Sequence, residues 1–257
     1  MTTVLATPRK ESPQDLSMVS FGSASDFELP AEQGDALFGM DRHLIKAKII
    51  PFTTVDQIYH VFWSSQDSFY TKWLEGRGNK EIVVQPWEEA SSAEDPIQFK
   101  QETFDKKRVV TFRSPRTLHS VTSPAKDPTK VLVSVEETQY CRMEKDQFVI
   151  LTEVKQTNIP FGEAFAVLWR WVATNVSPKE VAVNVGFSME FYLQILVEDK
   201  LREQQGEFSQ SRQLDLFRAA KQEIADRQTT LSVKDPLHGI GAFLRIFPFF
   251  QLKRKVT

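Results

Sequence analysis

The sequence predicts an α+β fold, a curved antiparallel sheet wrapped on one long C-terminal helix. Three observations carry this reading. From Asn79 to Phe191 the apolar residues alternate with period two in six successive stretches. The links between those stretches are mostly short, as antiparallel hairpins require. After Phe191 the spacing turns helical. A sheet of this kind has one apolar face, and the long helix is the element left to cover it, so a sheet bent around that helix is the simplest packing.

Taken in order, residues 1–40 are rich in Ser, Thr, Pro and acidic side chains without an apolar period, and read as a disordered tail. Residues 41–227 form the predicted domain. "LIKAKIIPF" at 44–52 is a first strand. "TTVDQIYHVFWSS" offers an N-cap threonine and Val55, Ile58, Tyr59 and Phe62 on one helix face. A second short helix, "SQDSFYTKWLEGRG", ends at glycines suited to a C-cap. The strands then follow as "KEIVVQPW", "KRVVTFRS", "KVLVSVEETQY", "DQFVILTEVKQT", "EAFAVLWRWVAT" and "EVAVNVGFSMEF". "MEKD" at 143–146 is a tight turn, whereas 114–129, "SPRTLHSVTSPAKDPT", reads as a long three-proline loop. The last helix is expected to begin at once after Phe191, with Leu193, Leu196, Val197 and Leu201 on one stripe. Leu214, Phe217 and Ile224 continue it past a weak point at Gly206.

Composition bounds the function. The 257 residues are 41% hydrophobic and 26% charged with a net charge of -2, which argues against a partner held by phosphate neutralisation; no nucleic acid is expected. Cys141 is the single cysteine, so a disulfide framework and a thiolate metal site are excluded and a reducing, cytoplasmic setting fits. The N-terminal stretch lacks the apolar core of a secretory signal, and no run reaches the roughly 20 apolar residues of a membrane span. His43, His60, His119 and His238 are scattered without metal-ligand spacing, and neither a Gly-x-Ser-x-Gly elbow nor a phosphate loop occurs. Neither catalysis nor a cofactor is expected.

The aromatic content is the unusual part, with 20 Phe and 5 Trp. Phe165, Val167, Trp169 and Trp171 alternate on one strand face with Arg170 on the other, and Val183, Val185, Phe187 and Met189 repeat the pattern on the next strand. Such a stripe is either ordinary core or the wall of a cavity. Residues 228–257 form a separate tail, in which "PLHGIGAFLRIFPFFQLKRK" joins an apolar segment too short to span a membrane to Lys253, Arg254 and Lys255. It reads as an interfacial anchor on an anionic surface or as a segment docked on the domain.

The stretches "FWSSQDSFYTKWLEGRGNKEIVVQPWEE", "RVVTFRSP" and "TNIPFGEAFAVLWRW" resemble the VASt domain, the StART-like lipid-transfer module of the Lam and Aster sterol transporters and of plant cell-death regulators. The likeness spans about residues 42–205. Its markers are Trp87 after a strand, the run from Arg108 to Pro115, and the turn Pro160, Phe161, Gly162 and Phe165. The resemblance implies a helix-grip fold with an apolar, sterol-sized cavity, lined by Phe112, Phe165, Val167, Trp169, Trp171, Val185 and Phe187 and closed on the helix side by Tyr192 and Ile195. It also implies a loop over the mouth, here "SVTSPAKD", where Lys126 either meets a lipid headgroup or is a solvated lysine. The glycine usual in that loop is missing, and Ile195 stands near a family glycine. An upstream GRAM domain and a transmembrane anchor, the family's usual companions, are not visible. The implied function is non-enzymatic binding and transfer of a lipid, a sterol or similar molecule, by a peripherally membrane-associated protein. The alternative is a lipid-sensing adaptor that kept the fold without transfer.

Overall fold

Period-two apolar spacing builds the strands of the sheet in the computed structural model, whose central strands, Gln147–Thr157, Phe165–Ser177 and Glu180–Phe191, are buried on both faces. The structure describes residues 39–64, 69–91, 96–118 and 129–234. The elements are β1 (Arg42–Pro51), α1 (Val55–Phe62), α2 (Phe69–Gly76), β2 (Lys80–Val84), β3 (Glu88–Glu89), β4 (Ile97–Phe99), β5 (Glu102–Phe104), β6 (Lys106–Leu118), β7 (Thr129–Met143), β8 (Gln147–Thr157), β9 (Phe165–Ser177), β10 (Glu180–Phe191) and α3 (Glu198–Lys234). The expected helix-grip is present: an eight-stranded antiparallel sheet in the order β1-β10-β9-β8-β7-β6-β2, with β3 beside β6, and a long C-terminal helix.

α1 starts as the sequence indicates. The Thr54 hydroxyl accepts from the Gln57 N–H at 3.4 Å, and the Gln57 side chain accepts from the Thr54 N–H at 3.1 Å, a reciprocal cap. The β7–β8 turn also forms where "MEKD" puts it, closed by Glu144 N–H to the Gln147 carbonyl at 2.8 Å.

Four expectations need correction. β6 does not stop at Ser114: residues 114–118 stay paired with Val133–Thr129, so Pro115 is a strand residue and the long loop is shorter than expected. α3 begins at Glu198, not after Phe191, and Leu193 and Leu196 are exposed. It runs on to Lys234, past the boundary expected at 227, unbroken at Gly206. A Cβ there would lie 2.9 Å from Arg42 Nη1 and 3.7 Å from the Phe187 ring, so the glycine serves close approach of helix to sheet. Finally, α3 is not alone on the inner face; α1 and α2 pack there too, bringing Phe62, Trp63, Tyr70 and Trp73 into the core.

The outer face is partly covered by the β4–β5 hairpin, which the alternation did not show. Phe104 packs on Val149, Leu151 and Val172, and Phe99 stacks on Tyr140 at 4.4 Å. Arg170, the polar member of the tryptophan strand, reaches outward to a two-pronged ion pair with Glu102. Both borders of the sheet are irregular. β1 shifts register on either side of Ile45, with Ala47 at φ 45°, and β2 shifts between Lys80 and Val83, with Glu81 at φ 53°.

Candidate functional site

Antiparallel register sets the expected wall residues side by side. Val185 lies opposite Trp171, Phe187 opposite Trp169, Met189 opposite Val167 and Phe191 opposite Phe165. Phe112 joins the same face from β6. The expected inner-face residues Phe112, Phe165, Val167, Trp169, Trp171, Val185 and Phe187 are therefore brought together.

They do not border an open hollow. None of the seven is more than 4% exposed, so almost no solvent reaches them. Trp171 lies 6.2 Å from the Phe62 ring and 6.3 Å from Trp63, and its indole N–H donates to Gln213 Oε1 at 2.7 Å. The Arg212 guanidinium sits 4.5 Å over Trp169, 5.3 Å from Trp73 and 5.7 Å from Phe112. The expected apolar cavity is thus replaced, in this conformation, by a filled and partly charged interior. An open groove of about 380 Å³ lies instead on the outer face, among Glu81, Thr111, Arg113, Ser134, Glu136 and Lys155.

The filling is a continuous polar chain. Arg212 meets Glu137 at 2.5 Å, and the Tyr70 hydroxyl donates to the other Glu137 oxygen at 2.5 Å. Gln139 donates to Glu137 at 3.3 Å and accepts from Arg108 Nε at 2.8 Å, and Arg108 Nη1 donates to the Trp63 carbonyl at 2.9 Å. Burial alone would depress Arg212, but Glu137 and Tyr70 outweigh it and hold the guanidinium above its ordinary range. Burial pushes the Tyr70 hydroxyl far up, and the Glu137 charge adds to this. Arg108 has only neutral acceptors, so burial depresses it.

Two expected site residues fall elsewhere. Tyr192 is 51% exposed and its hydroxyl donates to Glu153 on the outer face at 3.1 Å. Ile195 is half-buried in the non-helical link before α3, so neither residue closes the helix side of the interior. Lys126, with Pro124 and His119, lies outside the described residues, as does the tail from 235 to 257.

The interior residues that sequence reasoning missed are Arg108, Glu137, Gln139, Arg212 and Gln213. A signal was present in β7: Glu137, Gln139 and Cys141 share the alternation phase of Val133 and Val135, and that phase points inward. On α3 the buried positions Ser209, Arg212, Gln213 and Leu216 keep helical spacing, but three of the four are polar. Burial drives the Cys141 thiol up to about 12, which fits inert packing. Among the described residues, no group of three or more His, Cys, Asp and Glu side chains is placed to hold a metal ion.

The motif residues have structural roles. Trp87 Nε1 and Arg108 Nη1 converge on the Trp63 carbonyl at the end of α1, with Arg108 4.5 Å over the Trp87 ring. In the 158–164 turn Phe161 takes the left-handed conformation at φ 62°, and a Cβ on Gly162 would fall 2.3 Å from the Gln156 carbonyl oxygen. Ala164 then accepts from the Tyr192 N–H at 2.8 Å, which ties this turn to the link before α3. Phe161, Leu193 and Leu196 stand exposed in these two segments.

Compared with known proteins, residues 47–204 match the family model for the VAD1 Analog of StAR-related lipid transfer domain, VASt. No curated protein matches the chain.

Proposed function

The chain belongs to the VASt family, whose domain is a StART-like lipid-binding module, and from that premise we propose that it takes a single sterol-sized lipid between sheet and α3 and carries it between membranes. It does so without chemistry on the ligand, as a peripheral visitor to the membrane surface. The observation that carries this reading is the uneven hold of α3. Its C-terminal half buries Leu216, Phe217, Ala220 and Ile224, whereas Ser209, Arg212 and Gln213 are the side chains that its N-terminal half buries fully. That half is tied mainly by polar links, Arg202 to Asp41 at 2.8 Å, Arg42 to Gln210 at 2.9 Å and Trp171 to Gln213. Water or a headgroup can replace such links when the helix lifts, and the aromatic stripe beneath then becomes the apolar wall.

The energetics favour exchange. Burying about 400 Å² of lipid surface yields on the order of 10 kcal/mol against water, and close to nothing against a bilayer, where the lipid is already in hydrocarbon. Uptake and release are therefore nearly balanced. Phe161, Leu193 and Leu196 project at the end where α3 begins, a small apolar tip suited to the headgroup boundary.

A fluorescent sterol moved between liposomes tests the reading. Saturable binding and transfer are expected, and Leu193→Asp with Leu196→Asp should slow transfer without changing thermal stability. Absence of saturable sterol binding would remove the proposal. The filled, charged interior favours a second reading, a lipid-sensing adaptor, for which binding without transfer is the signature.

A further inference from the structure

We propose that the interior also holds a binding site for a phosphate-type oxyanion, formed by Arg116 and Arg212 with Ser209 and Trp169, between β6, β9 and α3. This goes beyond the sterol reading, because a sterol has no anionic group, and it stands whether or not a sterol is carried.

Four buried donors of this region have no hydrogen-bond partner among the described residues: Arg116 Nε, Arg212 Nε, Ser209 Oγ and Trp169 Nε1. Arg212 lies 4.5 Å over the Trp169 ring, and Ser209 stands one turn before Arg212 on the buried face of α3. Arg116 lies 3.5 Å over Phe208, the neighbour of Ser209. Ser209, Arg212 and Trp169 are at most 4% exposed, while Arg116 is half-buried and forms the rim. Leaving one such donor dry and unmet costs about 1–3 kcal/mol, so four together call for an acceptor.

The charge count identifies that acceptor. Among the described residues this interior carries Arg108, Arg116 and Arg212 against one buried acid on the same face, Glu137. Glu137 is already engaged by Arg212, Tyr70 and Gln139. The charges that Arg116 feels are those of Arg212 and Arg77, and Arg77 is itself paired with Asp215 at 2.8 Å. Burial, then these two cations, depress Arg116 to about 9. A guanidinium keeps its proton in nearly all surroundings, so the imbalance is relieved by an incoming anion rather than by proton loss. Water would satisfy single donors but not the charge. A tetrahedral oxyanion accepts from several directions at once and pairs with the guanidinium edge.

The test uses the full chain in titration calorimetry with three probes: inorganic phosphate, dioctanoyl phosphatidic acid and dioctanoyl glycerol. Saturable binding of a phosphate-bearing probe, with none of the neutral diacylglycerol, is expected. Much tighter binding of phosphatidic acid assigns the site to a lipid headgroup; equal binding assigns it to soluble phosphate. Arg116→Met should weaken binding by about tenfold or more, the worth of one charge-assisted hydrogen bond, and leave ligand-free melting unchanged or higher. Ser209→Ala, which preserves every charge, should weaken it less. If neither phosphate probe binds, or if both variants bind like the parent protein, the proposal is overturned. Failure of fluorescent-sterol uptake by the parent overturns the transfer reading alone.

Discussion

Glu137→Gln is the sharpest probe of the interior. The substitution keeps the size of the side chain and an oxygen for the Tyr70 hydroxyl, and removes only the charge. Arg212 is then left 4% exposed with no anion, having met the carboxylate at 2.5 Å. Breaking one partner of a buried ion pair costs about 3–5 kcal/mol. A domain of this kind has about 5–15 kcal/mol in all, so roughly a fifth or more of the stability is at risk. At about 2–4 °C per kcal/mol for a domain of this size, melting should fall by roughly 6–20 °C. Urea unfolding followed by tryptophan fluorescence should give a lower midpoint with an unchanged slope. The companion variant joins Glu137→Leu, Arg212→Met and Tyr70→Phe, which removes both charges and the hydroxyl that would lose its acceptor. It should lie closer to the parent than Glu137→Gln does, because matched apolar groups replace a buried pair at little cost. A loss below about 1 kcal/mol for Glu137→Gln would refute the reasoning, since Arg212 would then have solvent or another acceptor within reach.

Two further outcomes follow from local geometry. Gly162→Ala should destabilise the domain by about 1–3 kcal/mol, because its Cβ would meet the Gln156 backbone carbonyl and Ile159 Cγ1 at 2.3 and 2.8 Å; an unchanged urea midpoint would contradict this. Cys141 and Tyr70 both titrate higher in the folded chain than in the unfolded one. Their contribution is complete below pH 9, the ordinary thiol value, and is lost as pH climbs from 9 to about 12 for Cys141, with Tyr70 adding to the loss above 10. Thermal melts across pH 8–11 should fall accordingly, and Cys141 should resist thiol reagents at pH 8 until the protein unfolds.

The sheet was legible because the large apolar residues of β9 and β10 recur at every second position, Phe165 to Trp171 and Val181 to Met189, and α1 because Thr54 and Gln57 stand at capping distance. The β4–β5 hairpin was not, since its strands have three residues each, too few to display a period. Leu193 and Leu196 misled for a different reason: their spacing fits a helix, but burial is decided by tertiary placement, and both lie exposed in the non-helical link before α3. The charged interior was hidden because Glu137, Arg212 and Gln213 look like solvated positions one at a time. Only the phase of β7 marks Glu137 as inward, and nothing in the sequence pairs it with a helix 75 residues later.

The irregular borders of the sheet have a consequence for how the protein lives in a crowded solution. A straight outer strand offers its free amides and carbonyls as a template on which a second chain can zip. Here the kinks around Ala47 and Glu81 interrupt that template, and Lys46, Lys48 and Lys80 stud it with like charge. Among the described residues, these two borders therefore offer a neighbouring copy no uninterrupted rail to grow along.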